Sequence, residues 1–127
     1  DGRYLIVLRG LCRVRIVEER EHEPYRVAML QPTEHPPKPD EQLVDERERL
    51  EELVTDPALD ELDGVQNMRE LFEAPIPTAG LIDMLIAGVC EETEQRYRML
   101  CDTDASSRAQ WLISRLDDLR RVLSDGG

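Results

Sequence analysis

The chain has 127 residues, of which 40% are hydrophobic and 35% are charged, and its formal net charge at pH 7 is −12. This length and composition predict one globular domain with one hydrophobic core. The acidic charge argues against nucleic acid and against an anionic membrane surface as partners, because both attract clustered lysine and arginine.

Residues 1–31 have the composition of β-structure. The pattern predicts three strands, at 3–9 ("RYLIVLR"), 11–18 ("LCRVRIVE") and 25–31 ("YRVAMLQ"), with a bend or bulge at Gly10 between the first two. Alternation in the later two predicts two inward-facing sets, which are Cys12, Val14 and Ile16, and Tyr25, Val27 and Met29. The strand at 3–9 is apolar and is expected to present an unpaired edge that can form hydrogen bonds with a strand of another chain.

Residues 32–40, "PTEHPPKPD", contain four prolines and predict an extended linker. Lys38, the only lysine, lies in this segment and is expected to be exposed. An exposed lysine argues against a Ser–Lys catalytic dyad, and the chain has no G-K-[ST] phosphate-binding loop. We therefore expect no enzymatic activity and no cofactor.

Residues 41–127 read as a helical unit. Asp40 is expected to cap the first helix, whose apolar stripe contains Leu43, Val44, Leu50, Leu53 and Val54. Arg47 and Arg49 on this helix are expected to form ordinary helix ion pairs.

The later helices follow the same apolar periodicity. Thr78 is predicted to cap the apolar helix "AGLIDMLIAGVC", which contains Asp83 and is too short to span a bilayer. Tyr97 and Leu100 are predicted to face inward in the next helix. Thr103 or Asp104 is predicted to cap the last helix, with Ser106 and Ser107 in its first turn rather than acting as nucleophiles.

The remaining reactive side chains do not form a metal-binding pattern. The three cysteines, at 12, 90 and 101, are widely spaced, which predicts free thiols and a cytoplasmic location. Cys12 and Cys90 are expected to be buried. His22 and His35 lie in predicted loops and lack the close spacing of metal ligands.

Trp111 and Met99 lie beside the apolar stripes of their helices. Helix packing is the simpler interpretation, and a peptide-binding groove is the alternative, because methionine and tryptophan suit adaptable surfaces.

Two stretches together resemble the Lon N-terminal, substrate-binding domain family. The first is "DGRYLIVLRGLCRVRIVEE" followed by a polar turn and "YRVAMLQP", and the second is "LIDMLIAGVC" with "TEQRYRMLCDTDASSRAQWLISRL". The resemblance covers nearly all of the chain. The family's initial P-L-F-P-L-like strand, and the ATPase and protease segments of full Lon, do not occur in the sequence, so the chain is expected to lack the domain's front strands.

The resemblance implies an α+β fold in which a small antiparallel β-unit, a partial PUA-like pseudo-barrel, is followed by a helical unit. It also implies a non-catalytic domain that binds exposed segments of client polypeptides. The alternative is an interaction or oligomerisation module, with self-association through the strand Arg3–Arg9. The candidate contact residues for a peptide or partner are Tyr4, Ile6, Tyr25, Met29, Met68, Phe72 and Trp111.

Overall fold

The computed structural model describes residues 2–22, 24–34 and 36–126, except for the side chain of His22. Within them, a two-stranded antiparallel sheet is followed by five α-helices, which confirms the predicted α+β class. The chain divides into two compact units, a β-unit that ends at Pro36 and a helical unit that begins at Pro37. His35 lies outside the described residues.

The β-unit is built on one hairpin. Strand β1 (Val14–His22) pairs with strand β2 (Tyr25–Pro32), so that Val14 lies opposite Pro32 and His22 opposite Tyr25. His22, predicted in a loop, is thus the last residue of β1. The register shifts between Ile16 and Glu18, which leaves Val17 as a bulge.

The predicted first strand is wrong, because residues 3–9 form no strand in the structure. A strand needs a neighbouring backbone to complete its ladder of hydrogen bonds, and β-propensity does not supply that neighbour. The expected bulge at Gly10 is also wrong, since the ladder irregularity lies at Val17. Cys12, predicted to be buried, is exposed.

The hairpin buries neither of its faces. Tyr25, Val27 and Met29 were predicted to point inward, but they are 42–61% exposed. The other side chains of β2 are exposed as well. Polar side chains form hydrogen bonds across the two strands. For example, Arg15 Nη2 donates to Gln31 Oε1 at 2.9 Å. Exposed pairs of this kind contribute little stability. A two-stranded hairpin without a packed face is only marginally stable by itself.

The helical unit holds the hydrophobic core. Its helices are α1 (Val44–Val54), α2 (Val65–Leu71), α3 (Thr78–Val89), α4 (Thr93–Cys101) and α5 (Ala105–Asp125), with short 3-10 turns at Asp40–Gln42 and Pro57–Leu59. The apolar α3 supplies much of the core, and α5 packs mainly against α1 and α3. Leu50, Leu81 and Leu112 are each completely buried there.

Two of the three predicted helix caps differ in the structure. Asp40 does not cap α1, because its carboxylate accepts a hydrogen bond from the backbone N–H of Thr78 at 2.9 Å and so caps α3. Thr78, predicted as that cap, is the first residue of α3 and is buried. The prediction for α5 is confirmed, since the Asp104 side chain accepts from the N–H of Ser106 at 3.0 Å.

Arg47 does not form the expected helix ion pair. Its guanidinium donates to the carbonyl oxygens of Phe72 and Ile76, at 3.3 and 3.5 Å, and to Oγ1 of Thr78 at 3.2 Å. It also lies 5.8 Å from the centroid of the Phe72 ring. Arg47 therefore ties α1 to the segment between α2 and α3, whereas Arg49 makes the expected pair with Glu52.

The inward face of α4 was also predicted incorrectly. Met99 is buried, whereas Tyr97 and Leu100 are 65% and 59% exposed. Successive helical residues are about 100° apart, so a short helix that directs Met99 into the core turns its neighbours away. The same geometry exposes Val44, which was placed in the apolar stripe of α1, beside the buried Leu43.

Candidate functional site

A cleft of about 440 Å³ opens on the helical unit, on the faces of α4 and α5. Its aromatic wall is Trp111, the only tryptophan in the chain. Ser114 and Asp118 follow Trp111 at helical spacing and present their side chains on the same side of α5. From α4 and the turn before it, the cleft receives Gln95 and three charged side chains.

Ion pairs neutralise most of the charge in this cleft. Arg98 pairs with Glu94 at 2.9 Å, and Arg115 contacts Glu92 at 3.5 Å. The pKa of Glu92 is lowered, first by a hydrogen bond from its own backbone N–H and also by the charge of Arg115. Two arginines and two glutamates therefore cancel, and Asp118 adds an uncompensated negative charge to the cleft.

Several polar groups in the cleft have no partner among the described residues. The side chains of Gln95, Trp111, Ser114 and Asp118 make no hydrogen bond or ion pair there. Such groups can bind the main chain or a polar side chain of another molecule.

A second candidate surface lies on the β-unit, and we call it the apolar β surface. It consists of the exposed apolar side chains of residues 4–11 and of the hairpin. In the first segment, Tyr4, Leu5, Ile6, Val7 and Leu8 are 73–94% exposed. On the hairpin, Ile16, Val17, Met29 and Leu30 are more than half exposed. Exposed apolar side chains are thus numerous in the β-unit, and where such side chains form a large patch they mark a binding surface.

The seven candidate contact residues divide between the two units. Tyr4, Ile6, Tyr25 and Met29 all belong to the apolar β surface, and Trp111 lines the cleft. Met68 is only 5% exposed and packs in the core, and Phe72 is partly buried against it, near the guanidinium of Arg47. Binding through Met68 would require the core to open.

One polar cluster was missed from the sequence. Lys38, expected in exposed loop, is partly buried, and its Nζ lies 2.9 Å from Oδ1 of Asp104 and 3.1 Å from Oγ of Ser106. The hydrogen bond from Lys38 lowers the pKa of Asp104. A lysine acts as a general base only when neutral, and its pairing with Asp104 uses the charged ammonium. Lys38 and Asp104 are 66 positions apart in the sequence, so no local pattern predicts this contact.

The charge of the chain is distributed unevenly between the units. Residues 37–127 contain 22 acidic and ten basic side chains, whereas residues 1–36 contain six of each. The whole net charge of −12 therefore belongs to the helical unit. The apolar β surface lies on the neutral unit, and the cleft lies on the acidic one.

The described residues contain no group of three or more His, Cys, Asp or Glu side chains that could hold a metal ion. None of the helices in these residues is long and apolar enough to cross a membrane. All three cysteines are free, and Cys90 is buried as predicted.

Comparison with protein families gives a match along most of the chain. Residues 1–118 match the model of the ATP-dependent protease La (LON) substrate-binding domain. The chain belongs to this family, as the motifs in both halves of the sequence predicted. This membership supports a substrate-binding role in general terms. No curated protein matches the chain, and no solved structure matches it either.

Proposed function

We propose that this chain is a non-catalytic domain that binds exposed segments of client polypeptides through its apolar β surface. The observation that carries the proposal is the 73–94% exposure of five consecutive apolar or aromatic side chains, at residues 4–8. Membership of a substrate-binding family supports the same conclusion. An unfolded polypeptide exposes the apolar side chains that such a surface can bury.

The hairpin supports binding by strand addition. Each strand of the sheet has one neighbour among the described residues, so each has a second edge with backbone groups directed away from the ladder. An extended client could add to such an edge, where main-chain hydrogen bonds contribute affinity without requiring a particular sequence. Alternate client side chains would then contact the apolar residues of the β-unit.

A polypeptide fits this chain better than a nucleic acid or an anionic membrane does. The net charge of −12 repels phosphates, and the β-unit itself is neutral. The family whose model matches residues 1–118 is a substrate-binding domain, which supports a non-catalytic role. The free cysteines support a reducing compartment, such as the cytoplasm.

The test measures binding of a fluorescently labelled, permanently unfolded polypeptide by anisotropy. Ile6→Ser should weaken binding by roughly tenfold or more, because burying an apolar side chain of this size contributes about 1.5–3 kcal/mol. Val122→Ser is the matched control, because Val122 is also apolar and 68% exposed but lies on α5 of the helical unit. Equal affinities for the wild type and both variants would contradict the proposal.

The exposed segment 3–9 also favours a second candidate function, which is assembly with another copy of this chain. Tyr4, Ile6 and Val7 are all at least 73% exposed, and a second copy offers identical apolar side chains. Pairing through Arg3–Arg9 should give a dimer mass at about 100 μM protein. Val7→Pro should dissociate it, because proline removes a ladder donor.

The mass in solution, with and without an unfolded client, separates the two functions. A monomer that forms a complex with client supports client binding, whereas a dimer unaffected by client supports assembly. A dimer that client dissociates would show that both use the same surface.

A further inference from the structure

We propose that the cleft formed by α4 and α5 is a specificity site that binds a lysine or arginine side chain of the client polypeptide. This inference rests on the proposed function, because it assigns a preferred client chemistry to a second surface. The apolar β surface has no such preference, since its side chains recognise only apolarity. A lysine or arginine in the client would then bind in the cleft of the helical unit, and apolar residues of the client would bind the apolar β surface.

Charge complementarity identifies the occupant. The ion pairs of Arg98 with Glu94 and of Arg115 with Glu92 leave Asp118 as the carboxylate in the cleft without a partner among the described residues. An acidic client side chain would meet this negative charge, and the helical unit carries a net charge of −12 around it. A client ammonium or guanidinium would instead gain an ion pair with Asp118.

The aromatic wall favours the same class of side chain. Trp111 makes no hydrogen bond or ion pair within the described residues and lies on the same side of α5 as Asp118. The indole face is the best of the aromatic faces for attracting a cation. The methylene stem of lysine or arginine also packs well against an apolar ring. Trp111 and Asp118 therefore recognise the two parts of one long basic side chain.

The other polar groups of the cleft suit the client main chain. Gln95 and Ser114 offer donors and acceptors that have no partner among the described residues. Ser114 lies on an exposed part of α5, so its hydroxyl is open to a peptide carbonyl or N–H. Contacts to the client main chain do not depend on the client sequence. Discrimination between client side chains therefore depends on Trp111 and Asp118.

The experiment uses Trp111 as the reporter, because it is the only tryptophan in the chain. Three capped ten-residue peptides of alternating leucine and serine, without aromatic residues, carry lysine, norleucine or glutamate at one central position. The lysine peptide should change the tryptophan emission and bind about threefold to tenfold more tightly than the norleucine peptide. The glutamate peptide should bind most weakly of the three.

Asp118→Asn should abolish the preference for lysine over norleucine. Glu48→Gln is the matched control, because Glu48 is an exposed acid on α1 that pairs with no other described residue, and its loss changes the net charge equally. The control should retain the preference. An equal loss of preference in both variants would show that only the overall acidic charge attracts lysine, and the site proposal would be overturned.

The outcomes separate this inference from the proposed function. Equal binding of all three peptides, with no change in tryptophan emission, would overturn the cleft proposal and leave client binding intact. If none of the peptides binds and the unfolded polypeptide does not bind either, client binding itself fails. If only the unfolded polypeptide binds, the cleft does not recognise a short basic segment, and the inference is again overturned.

Discussion

The β-unit and the helical unit use apolar residues in opposite ways. The helical unit buries them, so that Leu50, Leu81 and Leu112 have no exposed surface, whereas the β-unit presents Tyr4 and Leu5 at 88% and 94% exposure. The helical unit also carries all of the net charge, and the β-unit is neutral. The difference indicates that the helical unit contains the core that stabilises the fold, whereas the β-unit exposes its apolar side chains to solvent.

The largest expected contrast is in thiol reactivity. Cys12 in the β-unit is exposed and Cys90 in the helical unit is buried. A buried thiol reacts only when the structure opens, so Cys12 should react at least about a hundredfold faster than Cys90 with a neutral thiol reagent. Mass spectrometry of the labelled peptides measures both rates, with exposed Cys101 as an internal control. Similar rates for Cys12 and Cys90 would break the contrast between the units.

Core substitutions should separate the units by stability. Leu112→Ala removes a completely buried side chain and should lower the free energy of unfolding by about 2–5 kcal/mol. Ile16→Ala in the hairpin, where the side chain is 60% exposed, should change it by less than about 0.5 kcal/mol. Urea unfolding followed by the helical circular dichroism signal measures both. A comparable loss from Ile16→Ala would mean that the hairpin contributes to the folded core.

Arg47 should matter more than its neighbour on the same helix. Arg47→Ala leaves the carbonyls of Phe72 and Ile76 without this donor and should cost about 1–3 kcal/mol. Arg49→Ala is the control, because Arg49 pairs with the carboxylates of Glu52 at 3.3 Å and Asp117 at 3.8 Å, and ion pairs of this kind contribute only about 0–1 kcal/mol each. Equal effects in urea unfolding would assign Arg47 to an ordinary surface role.

The cap that Asp40 provides for α3 should have a smaller effect. Asp40→Ala removes the acceptor for the Thr78 N–H and should cost about 0.5–2 kcal/mol, and Asp40→Asn should retain most of the stability. Glu41→Ala, in the same 3-10 turn, is the control and should be nearly neutral. The Thr78 amide should exchange faster in Asp40→Ala. Unchanged exchange there would contradict the assigned cap.

The smallest of the expected effects is the change in the free energy of unfolding on acidification. This change should arise in the helical unit and should be negligible near neutral pH. The pKa of Asp104 is lowered by the hydrogen bond from Lys38, and that of Asp117 by the hydrogen bond from Arg120. A folded pKa below the ordinary value of 3.8 gives stability that is present above that value and is lost as the pH falls through the folded pKa.

Lys38→Met should bring the pKa of Asp104 back toward its ordinary value and reduce this acid-induced loss. Carboxyl NMR titration and urea unfolding between pH 6 and pH 2 measure the two effects. Arg3→Met in the β-unit is the control and should leave the titration of Asp104 unchanged. An unchanged Asp104 titration in Lys38→Met would contradict the ion pair.

The sequence by itself determined the family, the α+β class and the helical core. Leu43, Leu50, Leu53 and Val54 were correctly assigned to the apolar stripe of the first helix, because helical periodicity depends only on residues three or four positions apart. The cap at Asp104 could be predicted for the same reason, since its partner Ser106 is two residues away. The chemistry of such local contacts is readable in the sequence.

Tertiary structure decided the contacts between distant residues. It directed Asp40 to Thr78, 38 positions later, and Lys38 to Asp104, 66 positions later. Residues 3–9 form no strand despite their β-propensity. Tertiary structure also brought α4 and α5 together, so that Trp111 and Asp118 line one cleft. Capping, strand pairing and cleft formation all require a second segment in space, and spacing along the chain does not specify which segment that is.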